Sequence, residues 1–197
     1  KRVPSSSSRR VRRAKWIEAC GRAALTHLGG AELAQPPAGL DDQRFVSNFA
    51  IYHQRYSTNT FPTWHLAQPF RVIAHNGEIN TLKGNVNWMK AHETRMATPF
   101  YGEHMDDVKP VIQPGGSDSA MLDNVFEAMV GVGRTLPMVK CLLIPDVWAD
   151  RETMPKAHRD LYSYCNSVME PWDGPAAICG FGGNWVIAGM DRNGLRP

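Results

Sequence analysis

An α+β fold is what this sequence predicts, on three observations. Short apolar runs bounded by turn residues read as strands near both ends of the patterned region, and two successive helical spacings lie between them. The glycine clusters Gly131-x-Gly133 and Gly180-x-Gly182-Gly183 lack the strand, third glycine and helix order that a dinucleotide site needs. Antiparallel pairs mixed with consecutive helices belong to a layered α+β domain and not to a doubly wound sheet.

Taken in order, residues 1–44 are an atypical segment. They start Ser- and Arg-rich, carry one helix-compatible piece over Ala14 to Leu28, and then meet the breakers Gly29-Gly30 and Gln35-Pro36-Pro37. Weak order is expected there. The patterned domain is expected over residues 45–197. Phe45 to Tyr52 reads as a strand that delivers His53-Gln54-Arg55-Tyr56 to its end. Ser57 to Pro62 carries hydroxyls and an amide able to bind their own backbone, so it is expected to be a loop. Phe70 to Ala74 is a second short strand, and Val86, Met89 and Met96 make Leu82 to Met96 an amphipathic helix. Strand ends thus place Arg55 and Asn76 near one rim.

Gln113 to Ala120 is a Gly-rich loop whose Ser-Asp pair can cap the next helix. Met121, Leu122, Val125, Phe126 and Met129 then space a helix over Ala120 to Met129. Lys140 to Ile144 is an apolar run expected to be a buried strand, and Pro155 to Met169 a helix. Ala176 to Cys179 with Trp185 to Met190 is expected to form a hairpin bent at Phe181-Gly-Gly-Asn184. No internal repeat is present.

Composition excludes several function classes. The 197 residues, 43% hydrophobic and 21% charged, suit one globular core that buries roughly two-thirds of the unfolded surface. No apolar stretch reaches about 18 residues and no secretory pattern opens the chain, so no membrane partner and a cytosolic setting are expected. The net charge of +3 is uneven: residues 1–15 hold seven basic side chains and no acid, which leaves 15 basic against 19 acidic groups elsewhere. A terminal tail of charge argues against a nucleic-acid-binding face. Cys20, Cys141, Cys165 and Cys179 are far apart with no Cys-x-x-Cys, and Cys141 and Cys179 sit beside apolar residues where a cysteine serves as a small buried hydrophobe. No metal site is expected, since the seven histidines include no His-x-x-x-His and Asp106-Asp107 is an exposed acidic pair.

Chemistry concentrates at Ala74-His-Asn-Gly-Glu78. A strand ending in Asn76-Gly77 can offer a side-chain amide and an unhindered backbone N–H to one point, as an oxyanion hole requires. The competing reading is a hairpin turn, although the following Glu-Ile-Asn-Thr-Leu-Lys-Gly does not alternate as a returning strand should. Arg55 is either a fork for a carboxylate or a surface ion pair. Asp118 is either a partner for an ammonium group or an N-cap. Together Arg55 and Asp118 would recognise the two ends of an α-amino acid. His75 is either a base or a hydrogen-bonded core residue. No Gly-x-Ser-x-Gly and no cysteine next to a histidine supplies a local nucleophile.

The motifs His53-Gln-Arg-Tyr-Ser-Thr-Asn-Thr-Phe-Pro62, Ala67-Gln-Pro-Phe-Arg71, Ala74-His-Asn-Gly-Glu-Ile-Asn-Thr81, Gly115-Gly-Ser-Asp-Ser119, Glu170-Pro-Trp-Asp-Gly-Pro175 and Asp191-Arg-Asn-Gly-Leu-Arg-Pro197 resemble the glutamine amidotransferase domain of glutamate synthase large subunits. The resemblance runs from about Phe45 to the last residue and does not extend to residues 1–44. It implies an N-terminal-nucleophile hydrolase, of whose four-layer αββα sandwich this chain would form part. In such enzymes an N-terminal cysteine attacks glutamine, with its own α-amino group as base.

By the same resemblance, the resulting ammonia passes to synthase domains of the same polypeptide and reacts with 2-oxoglutarate. FMN and an iron–sulfur cluster deliver the electrons there, from a small subunit or ferredoxin. No cofactor is implied for this segment itself. The resemblance assigns Arg55 to the glutamine α-carboxylate, Asp118 to its α-ammonium and Asn76 with Gly77 to the oxyanion hole. Thr58 and Asn59 would line the pocket, with Glu78 and Gly116 as neighbours. A cytoplasmic or plastid-stromal setting follows. The chain opens Lys1-Arg2-Val3-Pro4 without a cysteine, so the nucleophile is expected upstream and the segment alone is expected to be inactive. The alternative is a non-catalytic amino-acid-binding or scaffold module. Ser57-Thr-Asn-Thr and Glu170-Pro-Trp-Asp-Gly argue against a sugar- or nucleotide-directed class II amidotransferase.

Overall fold

The computed structural model of the chain describes residues 49–51, 53, 60, 61, 63–149 and 151–195. The chain divides into two compact units, Lys1–Tyr56 and Ser57–Pro197, and every element below belongs to the second. Strand β1, Ile73–Gly77, pairs antiparallel with β2, Ala176–Gly182, so that Asn76 faces Ala177 and Gly77 faces Ala176. Strand β3, Trp185–Met190, returns along the other side of β2 after the turn at Gly183-Asn184. Gly183 takes φ of 60°, which a two-residue hairpin favours. The sheet order is β1-β2-β3.

Four α-helices occupy the sequence between β1 and β2: α1 Leu82–Glu93, α2 Asp118–Gly131, α3 Leu136–Leu143 and α4 Lys156–Val168. Helix α2 packs on β1, and α3 touches α2, α4, β2 and β3. The period of two along each strand sends Ile73, His75, Ala176 and Ile178 to the helical side, where all are buried. They join Leu122, Val125 and Phe126 of α2, Leu136, Val139 and Leu143 of α3, and Trp172 in one core. Fully burying a side chain as large as Trp172 contributes roughly 2–3 kcal/mol. Its backbone N–H donates to the Leu143 carbonyl at 2.7 Å, which fixes the approach to β2 against the end of α3. The opposite face of the sheet carries Asn76, Cys179, Phe181, Val186 and Ala188, all exposed.

An antiparallel sheet with helices packed on one face is an α+β arrangement, as expected. Helices α1, α2 and α4 and the β2–β3 hairpin match their expected positions within a few residues. The second expected strand lies three residues later, at 73–77 in place of 70–74. The expected strand over 140–144 is a correction: residues 140–143 belong to helix α3 and Ile144 is its C-cap. The run is apolar apart from Lys140, but its buried members Leu136, Val139, Leu142 and Leu143 fall at helical spacing, and Pro137 stands in the first turn where a helix tolerates proline. Cys179 is a second correction. It is exposed, because the strand alternation turns it away from the helices, while Cys141 is half-buried and Cys165 buried. The expected strand at Phe45 to Tyr52 and the helix-compatible Ala14 to Leu28 lie wholly or mostly outside the described residues.

Candidate active site

Among the described residues β1 lies at the edge of the sheet, and its hydrogen bonds show which way each residue turns. Ala176 exchanges its main-chain bonds with Asp191, donating to the Asp191 carboxylate at 3.2 Å and accepting from the Asp191 N–H at 2.9 Å. It therefore faces away from Gly77. Even-numbered residues of β1 turn to β2, as the Glu78 N–H donating to the Pro175 carbonyl at 2.9 Å shows. Odd-numbered residues turn outward. The Ile73 N–H reaches Asp123 Oδ1 at 2.8 Å, and the His75 N–H reaches Gln68 Oε1 at 2.6 Å. By the same alternation the Gly77 N–H faces the outer edge. The exposed Asn76 side chain leaves the open sheet face beside it. An amide and a backbone N–H at one corner of a sheet can polarise a carbonyl oxygen.

Gly77 is required here by its surroundings. Its φ is 141°, and a Cβ at this position would lie 1.8 Å from the Pro175 carbonyl oxygen. Gly174 mirrors it, with φ of 144° and a virtual Cβ 1.9 Å from the Glu78 carbonyl oxygen. Two backbones thus run side by side with no room for side chains between them. Asn80 and Thr81 continue the contact by donating N–H bonds to the Asp173 carbonyl at 2.7 and 3.3 Å. The Asn-Gly pair is therefore not a hairpin turn: both residues lie in β1, and the chain runs on into α1.

Helix α2 supplies the neighbouring carboxylate. The N-cap is Ser117, whose Oγ accepts the Ala120 N–H at 3.1 Å, so Asp118 is not the cap. Asp118 is the first helical residue, and its Oδ2 accepts the Ile79 N–H at 2.9 Å. Its Oδ1 accepts the Ser119 N–H at 2.7 Å. An ionised carboxylate has about four lone-pair sites, so positions remain for a cation. Gly116, half-buried in the preceding loop, would meet only ordinary contacts if it carried a Cβ, whereas Gly115 takes φ of 79°. The structure therefore brings Asn76, Gly77, Glu78 and Asp118 to the exit of β1, and Gly116 lies in the loop two residues before Asp118. Arg55, Thr58 and Asn59 lie outside the described residues.

His75 sits in the core, 1% exposed, with Nδ1 2.7 Å from Ser119 Oγ. Asp123 was not among the expected site residues, and it makes three bonds at the entry to β1. It is 2% exposed and accepts the N–H groups of Arg71, Val72 and Ile73 at 3.2, 3.0 and 2.8 Å. Burial pushes its carboxyl above the ordinary range, against the downward pull of those three N–H groups. The sequence held one signal for it: an acid at the edge of the stripe Ser119, Leu122, Phe126, which is otherwise buried. A cavity of about 360 Å³ between residues 101–113 and α2 lies apart from this cluster, and its Arg71 and Glu127 are already paired at 2.8 Å.

Among the described residues no group of three His, Cys, Asp or Glu could hold a metal ion. Comparison with known proteins adds the family. The model of class-II glutamine amidotransferases matches residues 28–197. The glutamate synthase [NADPH] large chain of Azospirillum brasilense is 69% identical over 79% of this chain and 10% of its own length. The corresponding large chain of Bacillus subtilis (strain 168) is 49% identical over 80% of this chain and 10% of its own length. Ferredoxin-dependent glutamate synthase 2, chloroplastic, of Arabidopsis thaliana is 45% identical, again over 80% and 10%. The chain thus spans about a tenth of the length of these relatives. With the match covering β1, the Asp118 loop and both glycines of the close backbone contact, this chain belongs to the class-II glutamine amidotransferase family.

Proposed function

We propose that this chain is the glutamine-binding part of the glutaminase domain of a glutamate synthase. That domain hydrolyses L-glutamine to glutamate and ammonia for transfer to 2-oxoglutarate. The observation that carries the reading is the corner of β1: an exposed Asn76 amide, an outward Gly77 N–H, and the Asp118 carboxylate bonded to Ile79 two residues on. In this reading Arg55 holds the glutamine α-carboxylate as a bidentate fork and Asp118 accepts its α-ammonium. The side-chain amide carbonyl then reaches Asn76 and Gly77, which stabilise the oxyanion formed when the N-terminal cysteine thiolate of the class attacks. Thr58 and Asn59 line the pocket, with Glu78 and Gly116 beside it.

The open apolar face of the sheet supports the finer fold assignment, a partial four-layer αββα sandwich in which a second sheet covers Cys179, Phe181 and Val186. FMN and an iron–sulfur cluster belong to the synthase domains of the same polypeptide, with a small subunit or ferredoxin as electron source. A cytoplasmic or plastid-stromal location accords with relatives named chloroplastic. Among the described residues no helix is long and apolar enough to cross a membrane.

The test uses a full-length glutamate synthase carrying this sequence. Asn76→Ala is expected to lower glutamine-dependent kcat about a hundred- to a thousandfold, and Arg55→Ala to raise the glutamine KM, both with ammonia-dependent synthesis retained. Equal loss of the two activities would remove the pocket assignment. Glutamine binding without hydrolysis in the unaltered protein would leave an amino-acid-binding module instead.

A further inference from the structure

Helix α2 holds β1 at three places, and the middle one joins the two sides of the pocket. Ser119 Oγ lies 2.7 Å from His75 Nδ1 and 3.3 Å from Asp118 Oδ1. Ser119 is 3% exposed and His75 1%, so water does not compete for these bonds. A hydroxyl has one proton to give. Donated to Asp118 Oδ1, that proton leaves the Ser119 oxygen as the acceptor for His75 Nδ1–H. His75 directly precedes Asn76 in β1. The carboxylate at the start of α2 and the amide at the end of β1 are therefore tied through one buried oxygen.

We propose that Ser119 is a positioning residue for glutamine hydrolysis, setting the distance between the ammonium-binding carboxylate of Asp118 and the oxyanion donors at Asn76 and Gly77. The proposal rests on the glutamine-pocket reading above. Ser119 touches no substrate atom. It acts by keeping the strand and the helix start in one register, so that both ends of a bound amino acid meet their partners together. Asp123 and the Asp118–Ile79 bond hold the same strand at its two ends, but neither spans the gap between the carboxylate and the amide.

The experiment is steady-state kinetics on the full-length enzyme carrying Ser119→Ala, Ser119→Cys or Asp118→Asn. Ser119→Ala is expected to lower glutamine kcat/KM about five- to tenfold, the effect of one lost hydrogen bond, with a fall in kcat and a rise in KM. Its ammonia-dependent rate stays at the wild-type value. Wild-type glutamine kinetics, or a loss matched in the ammonia-dependent rate, would overturn the positioning role. Should Ser119→Ala not accumulate folded, Ser119→Cys fills the same space with a weaker donor. The same selective loss is expected of it, and wild-type glutamine kinetics would overturn the role. Asp118→Asn separates the two levels: an unchanged glutamine KM in that variant removes the pocket reading, and the positioning role with it. A raised KM there beside a normal Ser119→Ala removes the positioning role alone.

Discussion

At the scale of single residues, Gly77 and Gly174 show what a sequence motif can hide. Both stand in motifs legible from the sequence, yet their shared purpose is not. Each lacks a Cβ because the other's neighbouring carbonyl occupies that space, at 1.8 Å from Pro175 O and 1.9 Å from Glu78 O. Gly77→Ala is expected to cost about 3 kcal/mol or more, through a positive φ and a backbone collision, and so to lower the Tm of the chain on the order of 10 °C. Gly116→Ala should stay within about 1 kcal/mol, since its added carbon meets Ala120 at 3.4 Å without a positive φ. Thermal melting of both variants measures the contrast, and similar Tm values would contradict it. Asn76, Gly77 and Asp118 stood out in the sequence because few residue types offer an amide, an unhindered N–H or a carboxylate at a strand exit. His75 was legible as a hydrogen-bonded core residue, but its partner Ser119 was not, since the two stand 44 residues apart. Cys179 was misread for a simpler reason: apolar neighbours in sequence do not say which face of a strand a residue takes.

At the scale of elements, α2 works as a clamp on β1. Asp118, Ser119 and Asp123 reach the strand at Ile79, His75 and Arg71 to Ile73, so the strand's path is set from one helix. Asp123→Ala would leave three buried or half-buried N–H groups without their acceptor. At about 1–3 kcal/mol for each group fully desolvated, a loss of 3 kcal/mol or more is expected by chemical denaturation. The carboxyl also links stability to pH. Its folded value lies above the unfolded one because burial outweighs the N–H bonds, so the folded state binds the proton more tightly. Its favourable contribution is full below the ordinary carboxylate value and is lost as pH rises through the folded value. Wild type should therefore gain stability relative to Asp123→Asn as pH falls through that window, and parallel pH profiles would refute the linkage. Helices α1, α2 and α4 were legible because their apolar residues recur at three and four. Helix α3 was not: in a short run that is apolar on every side, strand and helix give the same pattern.

At the scale of the whole molecule, the described helices pack on one face of the sheet, and the other face keeps exposed apolar side chains. Phe181 and Val186 are 45% and 53% exposed, apolar area on which the proposed second sheet would pack. Val186→Ser should change the stability of the isolated chain by no more than about 0.5 kcal/mol. In the full-length amidotransferase, where the proposed second sheet lies over it, the same change should cost about 1.5 kcal/mol or more. Equal small effects in both would remove the covering layer. The α+β class was legible from element order alone, and its layered completion only from family resemblance, because no pattern within one sheet states what packs on its far side. The outer edge of β1 has one more consequence. A bare strand edge invites further strands, and such growth ends in aggregates. Here the Asp123 and Gln68 side chains occupy the donors of Ile73 and His75, which denies those two N–H groups to another strand. The next outward donor along the strand is the Gly77 N–H, and in the proposed glutamine pocket that is the one reserved for substrate.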